Sequence, residues 1–239
     1  MRCGIIGKGY WGKIIMSKLD NWITEEPFAE ADWMFIATPP EYHYAYTKRF
    51  LLEGKNVFCE KPLCTTIEEA RELVNISRET GNSLYIDNIF LLREEFRTIG
   101  KAKTDYIKST WRKYGPFKDS ILNDLLYHDL YMFISLLGVQ RIDDINVTKN
   151  NHNSLHLDYM YGETQVQIRY DRGYKGAKTK TLQLGEEVID FSNPQNDPLA
   201  ESMNRCFDGM VNYQENHDLS LKALEHLIFI REQIGISCI

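Results

Sequence analysis

Six residues near the start of the chain, Gly7-Lys8-Gly9-Tyr10-Trp11-Gly12, have the types and spacing to hold an anion. They follow the apolar run Cys3-Gly4-Ile5-Ile6 and open a helical stretch, Trp11–Leu19. In that setting Gly7 permits a tight turn, Gly9 removes a side chain where backbone must approach a pyrophosphate, and Gly12 lets the helix pack on the strand. The N–H groups that begin the helix then face the anion. The motif alone recurs by chance, so its strand-turn-helix setting carries the reading. A second set is Asp124-Leu125-Leu126-Tyr127-His128, in a helix expected over Ser120–Leu137. An acid and a base four residues apart share one helix face. On an otherwise apolar helix they either find buried partners or line a cleft.

These groups need a frame. Strand signals at Cys3–Ile6, Trp33–Ala37, Asn56–Cys59 and Leu84–Ile86 alternate with helix signals at Trp11–Leu19, Glu41–Glu53 and Thr66–Thr80. Thr65 or Thr66 caps the last of these, with Glu68 and Glu69 in its first turn and Gly81 after its end. Such alternation predicts parallel βαβ units, a truncated Rossmann-type domain over residues 1–87. Beyond it the order changes. A short helix (Leu92–Ile99), a strand (Tyr106–Arg112) and the Ser120–Leu137 helix precede period-2 segments at Asp144–Thr148, Leu155–Tyr161, Thr164–Tyr170, Lys180–Leu184 and Glu187–Phe191. Helices over Pro198–Tyr213 and Ser220–Gly235 end the chain. Residues 88–239 thus read as an α+β domain with a mostly antiparallel sheet, serving substrate binding and oligomerisation.

The Rossmann half looks incomplete. Its second strand should end in an acid that binds the adenosine ribose. Asp32 stands before the strand Trp33–Ala37, on the wrong side of it, and Asn21–Glu30 is too short for a full strand and a full crossover helix. The second βα unit is therefore expected to be missing or vestigial, and the ribose acid unassigned.

Between residues 33 and 74 the sequence becomes specific. Phe35-Ile36-Ala37-Thr38-Pro39-Pro40-Glu41-Tyr42-His43, followed by Leu52-Glu53-Gly54-Lys55-Asn56-Val57-Phe58-Cys59-Glu60-Lys61-Pro62-Leu63, resembles the Gfo/Idh/MocA family of sugar oxidoreductases. The resemblance continues more weakly to about Gly138. It implies that Lys61 of the Glu-Lys-Pro motif, Asp124 and His128 are catalytic, meeting in a cleft, and that Lys61-Pro62 is a cis peptide. It also implies that Thr38, Pro39, His43, Glu60 and Lys61 join Gly7–Gly12 in binding the cofactor, NAD or NADP. The implied reaction moves a hydride to or from a hydroxyl carbon of a sugar, cyclitol or nucleotide-sugar. Three features depart from the family pattern: Leu126 where a glycine is usual, Asn88-Ile89-Phe90-Leu91 where Asn-Tyr-Arg-Phe often stands, and the shortened second unit. From these, weak cofactor binding is expected. The competing reading is a non-catalytic relative, a sugar or nucleotide sensor or a structural partner subunit.

Composition narrows the classes. The formal net charge of −6 argues against nucleic acid as a partner, while the pair Arg112-Lys113 remains available to one anionic small molecule. The apolar stretch Leu130–Val139 is too short to span a membrane, and the N-terminus has no secretion-signal pattern. Five cysteines (Cys3, Cys59, Cys64, Cys206 and Cys238) without CxxC spacing point to a reduced, cytoplasmic chain with no metal. Aspartate 129 reads as a solvated helix residue. The second-domain strands, with few helices to cover both faces, predict an apolar sheet face and a homodimer or larger homo-oligomer.

Overall fold

A computed structural model describes residues 1–100, 104–115 and 120–235. In chain order the elements are β1 (Cys3–Ile6), α1 (Tyr10–Met16), β2 (Trp22–Ile23), β3 (Trp33–Ile36), α2 (His43–Leu52), β4 (Asn56–Cys59), α3 (Ile67–Thr80) and β5 (Leu84–Ile86). There follow α4 (Glu94–Arg97), β6 (Tyr106–Arg112), α5 (Tyr127–Leu137), β7 (Ile142–Asn151), β8 (Ser154–Tyr161), β9 (Thr164–Asp171), β10 (Thr179–Leu184), β11 (Glu187–Asp190), α6 (Pro198–Phe207) and α7 (Tyr213–Gln233). They divide into two units, residues 1–89 with 199–224 and residues 90–198 with the chain from 225 onward.

The first unit is a parallel sheet in the order β2-β1-β3-β4-β5. Its central strands are short, almost wholly buried and apolar, as a parallel sheet covered on both faces requires. Helix α3 begins at Thr66, whose hydroxyl accepts from the Glu69 N–H at 3.4 Å, and ends at Gly81 with φ of 72°. The second βα unit survives as the two residues of β2, with no helix between β2 and β3. Helix α6 and the start of α7 belong to this unit, a correction to the expected run of residues 88–239 as one domain. Phe35, Phe58 and Tyr85 present aromatic rings on one sheet face, and Leu199, Met203 and Cys206 of α6 bury them. Period and length mark α6 as a helix; only packing decides which sheet it covers.

The second unit is a mixed sheet in the order β11-β10-β6-β9-β8-β7, antiparallel except for the β6–β9 pair. One face is core: Ile107, Leu157, Ile168 and Leu182 are fully buried. The other face is polar, not apolar as expected, carrying Lys108, Thr110, His156, Asp158, Gln167, Arg169 and Gln183 at intermediate exposure. Arg169 and Asp158 pair across it at 2.6 Å. The helix expected over Ser120–Leu137 is not uniform. A π-helical turn, Leu122–Leu126, precedes α5, and Gly138 ends it.

Among the described residues Cys3, Cys59, Cys64 and Cys206 are free, buried thiols; Cys238 lies outside them. No described helix is long and apolar enough to cross a membrane, and no described cluster of metal-ligating side chains forms.

Candidate functional site

In the first unit, the turn after β1 has the shape its glycines require. Gly7 has φ of 105°, and a Cβ there would lie 2.3 Å from the Ala37 carbonyl oxygen. A Cβ on Gly12 would lie 1.9 Å from the Gly7 oxygen, which is the close strand–helix packing that admits no side chain. Gly9 is different: nothing lies within 4 Å of its Cβ position. That open cradle fits a pyrophosphate, and the first-turn amides of α1 have no intrahelical acceptor. Lys8, Tyr10 and Trp11 are exposed around it, the two aromatic rings 5.5 Å apart.

Sequence reasoning missed Glu25. Strand β2 pairs with β1 at Cys3–Trp22 and Gly4–Ile23, so the chain just after Ile23 runs alongside the glycine turn. There the Glu25 carboxylate accepts from Lys8 Nζ at 3.2 Å. This is where a Rossmann sheet carries its ribose-binding acid, at the carboxyl end of the second strand. The signal was available in Trp22-Ile23, too short to register as a strand.

At the end of β3, Thr38 has a buried hydroxyl with no hydrogen-bond partner, and Pro39 is exposed beside it. His43 does not line an open site as expected. Its ring is fully buried, with Nε2 2.8 Å from the Thr38 oxygen and Nδ1 2.9 Å from the Pro62 oxygen. Burial holds its pKa below the usual value, against the pull of the two carbonyls. The ring therefore braces the ends of β3 and β4, and neither nitrogen is turned to a ligand. The Lys61-Pro62 peptide is cis. Lys61 is partly exposed directly after β4, at the same carboxyl edge as the glycine turn, and Glu60 is buried beneath it. Burial raises the Glu60 carboxyl to about 7, with Lys61 pulling it back.

In the second unit, Asp124 lies inside the π-helical turn, so the four-residue spacing of an α-helix does not relate it to His128. Its carboxylate is held by Lys113 Nζ at 2.9 Å and by the buried Arg172 at 3.5 Å. Single-turn π segments are frequent at functional sites because they re-aim side chains. The His128 ring is buried against Phe90, 4.9 Å between centroids, and Trp111, 5.6 Å; its Nδ1 lies 2.8 Å from the Tyr131 hydroxyl. The next residue corrects an expectation. Asp129 is fully buried, its carboxylate taking Lys180 Nζ at 2.5 Å and the Tyr170 hydroxyl. Lys180 and Trp111 are register partners on β10 and β6, which places the ammonium 4.0 Å over the indole.

Comparison with known proteins places this arrangement. Residues 12–88 match the family model described as the oxidoreductase family with an NAD-binding Rossmann fold, GFO_IDH_MocA. The UDP-N-acetylglucosamine 3-dehydrogenase of Acidithiobacillus ferrooxidans is 28% identical over 123 residues, 48% of this chain and 39% of that protein. Its crystal structure superposes with a TM-score of 0.76 at 18% identity, covering 97% of each chain. The WlbA dehydrogenase of Thermus thermophilus, solved with NAD and UDP-GlcNAcA, gives 0.78 at 14% identity over 97% of this chain and 86% of that one. The uncharacterized oxidoreductase YgjR of Escherichia coli is 32% identical over 138 residues, 47% of this chain and 42% of that protein. In sequence, the chain matches less than half the length of these curated relatives. The match identifies residues 12–88 as a segment of the Gfo/Idh/MocA oxidoreductase type with an NAD-binding Rossmann fold, and the parallel five-stranded sheet and mixed second sheet share the fold of those solved dehydrogenases.

Proposed function

We propose that this chain is an NAD-dependent dehydrogenase of a sugar, cyclitol or nucleotide-sugar hydroxyl. The observation that carries the reading is the open cradle at Gly9 on the same sheet edge as Lys61. Bound NAD supplies the hydride acceptor. Lys61 hydrogen-bonds the substrate oxygen, and the family resemblance gives His128 of the second unit the part of the base and its Asp124, held by Lys113 and Arg172, that of an orienting acid. Thr38 and Pro39 flank the cofactor, and His43 supports them from behind. A nucleotide-sugar is favoured within this class, since Lys113 and Arg172 put positive charge beside Asp124 in a chain of net charge −6. Titration with NADH followed by fluorescence, then turnover assays on neutral and nucleotide-linked sugars, tests the reading. Absence of NADH binding at millimolar cofactor would overturn it in favour of a sensor or scaffold.

Glu25 supports NAD over NADP, because a carboxylate accepts from a ribose 2′-hydroxyl and repels a 2′-phosphate. Its exposure, and its sharing with Lys8, favour loose binding. Glu25→Gln is expected to weaken NAD binding by about tenfold, the lower end of a charge-assisted hydrogen bond, and to narrow the gap to NADP. Isothermal titration of both cofactors checks this; an unchanged NAD affinity would remove Glu25 from the site.

The half-exposed polar face of the second sheet supports a homo-oligomer joined by hydrogen bonds and ion pairs, working in a reducing cytoplasm. Light scattering is expected to return at least a dimer mass at micromolar concentration, falling in high salt. A monomer at every salt concentration would refute it.

A further inference from the structure

We propose that Glu60 and Asp87 share one proton and together position the Lys61 ammonium, a role that rests on the assignment of Lys61 to substrate above. The two carboxyls follow neighbouring parallel strands. Cys59 and Ile86 are register partners of β4 and β5, so Glu60 and Asp87 form the next rung and project to the same face. The backbone continues the ladder there, with the Asp87 N–H donating to the Cys59 oxygen at 3.0 Å. Both side chains are buried, Glu60 at 7% and Asp87 at 2% exposure.

Their partners account for only part of each carboxyl. Glu60 accepts the Lys61 backbone N–H, and Asp87 is hydrogen-bonded to Ser202 of α6. Glu60 Oε1 and Asp87 Oδ1 are buried without any partner. Two ionised carboxylates in that position would each carry an unsatisfied buried oxygen and would repel one another. One proton between them turns one into a donor, removes the repulsion and leaves a single negative charge. Lys61 is the cation whose charge acts on both. The other titratable groups acting on the pair are Tyr85 and Cys59 from the sheet and Cys206 from α6. Glu201 and Arg205 of α6 act on Tyr85 and are tied to one another at 3.0 Å. Lys61 is therefore the group that a singly charged pair holds in place.

Burial raises both carboxyls above their ordinary values, Glu60 to about 7, and Glu60 raises Asp87 further. The folded chain thus keeps protons that the unfolded chain releases from about pH 4.5 upward. Stability due to the pair is present at acid pH and is lost as pH rises toward 7 and beyond.

Infrared spectra of the full chain across a pH titration test the pair directly. The wild type is expected to show a protonated-carboxyl band at pH 7. Asp87→Asn should move its titration to lower pH, and the double variant Glu60→Gln/Asp87→Asn should lose it and flatten the decline of stability with pH. Both replacements are isosteric, and a thermal melt at acid pH verifies the fold. Labelling of Lys61 by an amine-reactive ester, read by peptide mass spectrometry, should accelerate several-fold in the double variant. A wild type without the band at pH 7, a double variant that retains it, or an unchanged labelling rate would overturn the proposal. If band and labelling behave as expected but no sugar is turned over, the pair stands and the substrate role of Lys61 falls. Turnover without the band leaves the functional reading intact and removes the pair.

Discussion

Lys61→Ala is expected to lower turnover by about 10²–10⁴-fold, the range for a positioned proton-handling group, with NAD affinity close to that of the parent chain and the melt unchanged at acid pH, where Glu60 and Asp87 are both protonated. The separation of effects follows from where the residue stands. Lys61 comes after β4, outside the strand ladder, and it is partly exposed while Glu60, Pro62 and Leu63 around it are buried. Its removal opens no cavity in the sheet. The glycine turn that would hold the pyrophosphate is built by Gly7, Gly9 and Gly12 against Ala37, with no contribution from the lysine side chain. Steady-state kinetics beside an NADH titration checks the split. A variant that keeps more than a tenth of wild-type turnover would take Lys61 out of the chemistry. His128→Ala is a poorer probe, because the ring is packed against Phe90, Trp111 and Tyr131 and its loss would disturb the core as well.

The largest expected effect on stability lies at Lys180 and Asp129. Lys180→Met is expected to destabilise the chain by about 3–5 kcal/mol, because it leaves a buried carboxylate without its cation. Both side chains are essentially inaccessible, at 1% and 0% exposure. Burial works against the charged lysine and lowers its pKa, and the Asp129 charge opposes that. The pair is anchored from three strands: Lys180 on β10, its register partner Trp111 on β6, and Tyr170 on β9, which donates to the other Asp129 oxygen. Asp129 thereby ties α5 to the centre of the sheet. The double variant Lys180→Met/Asp129→Leu, which removes both charges, should recover most of the loss. Denaturant unfolding of the two single variants and the double, read as a cycle, isolates the interaction. Additive single effects with no recovery would show that the two residues act independently.

Local features of this chain were legible without coordinates because they depend on near neighbours. The glycine turn needs only its three glycines and a flanking strand; Thr66 and Gly81 mark the ends of α3 by capping and by the left-handed conformation. Period-2 patterning placed five of the second sheet's strands within a few residues, since alternate burial is written into alternate residues. The pairing of Glu-Lys-Pro with the Thr-Pro-Pro segment named the family. Other features depend on what lies across space. That α6 belongs with the parallel sheet is settled by Phe35, Phe58 and Tyr85, residues far from it in sequence. Asp124, inside the π-helical turn, meets Lys113 and Arg172, residues that its own helix does not supply. Asp129 reads as a surface acid until Lys180 and Tyr170 are placed on either side of it. Glu25 and Asp87 carry no motif; each gains its meaning from a strand register that sets it beside Lys8 or Glu60. A sequence states what each residue prefers, but charges and hydrogen-bonding groups act over a few ångströms. Only the folded chain decides which of them fall within that range.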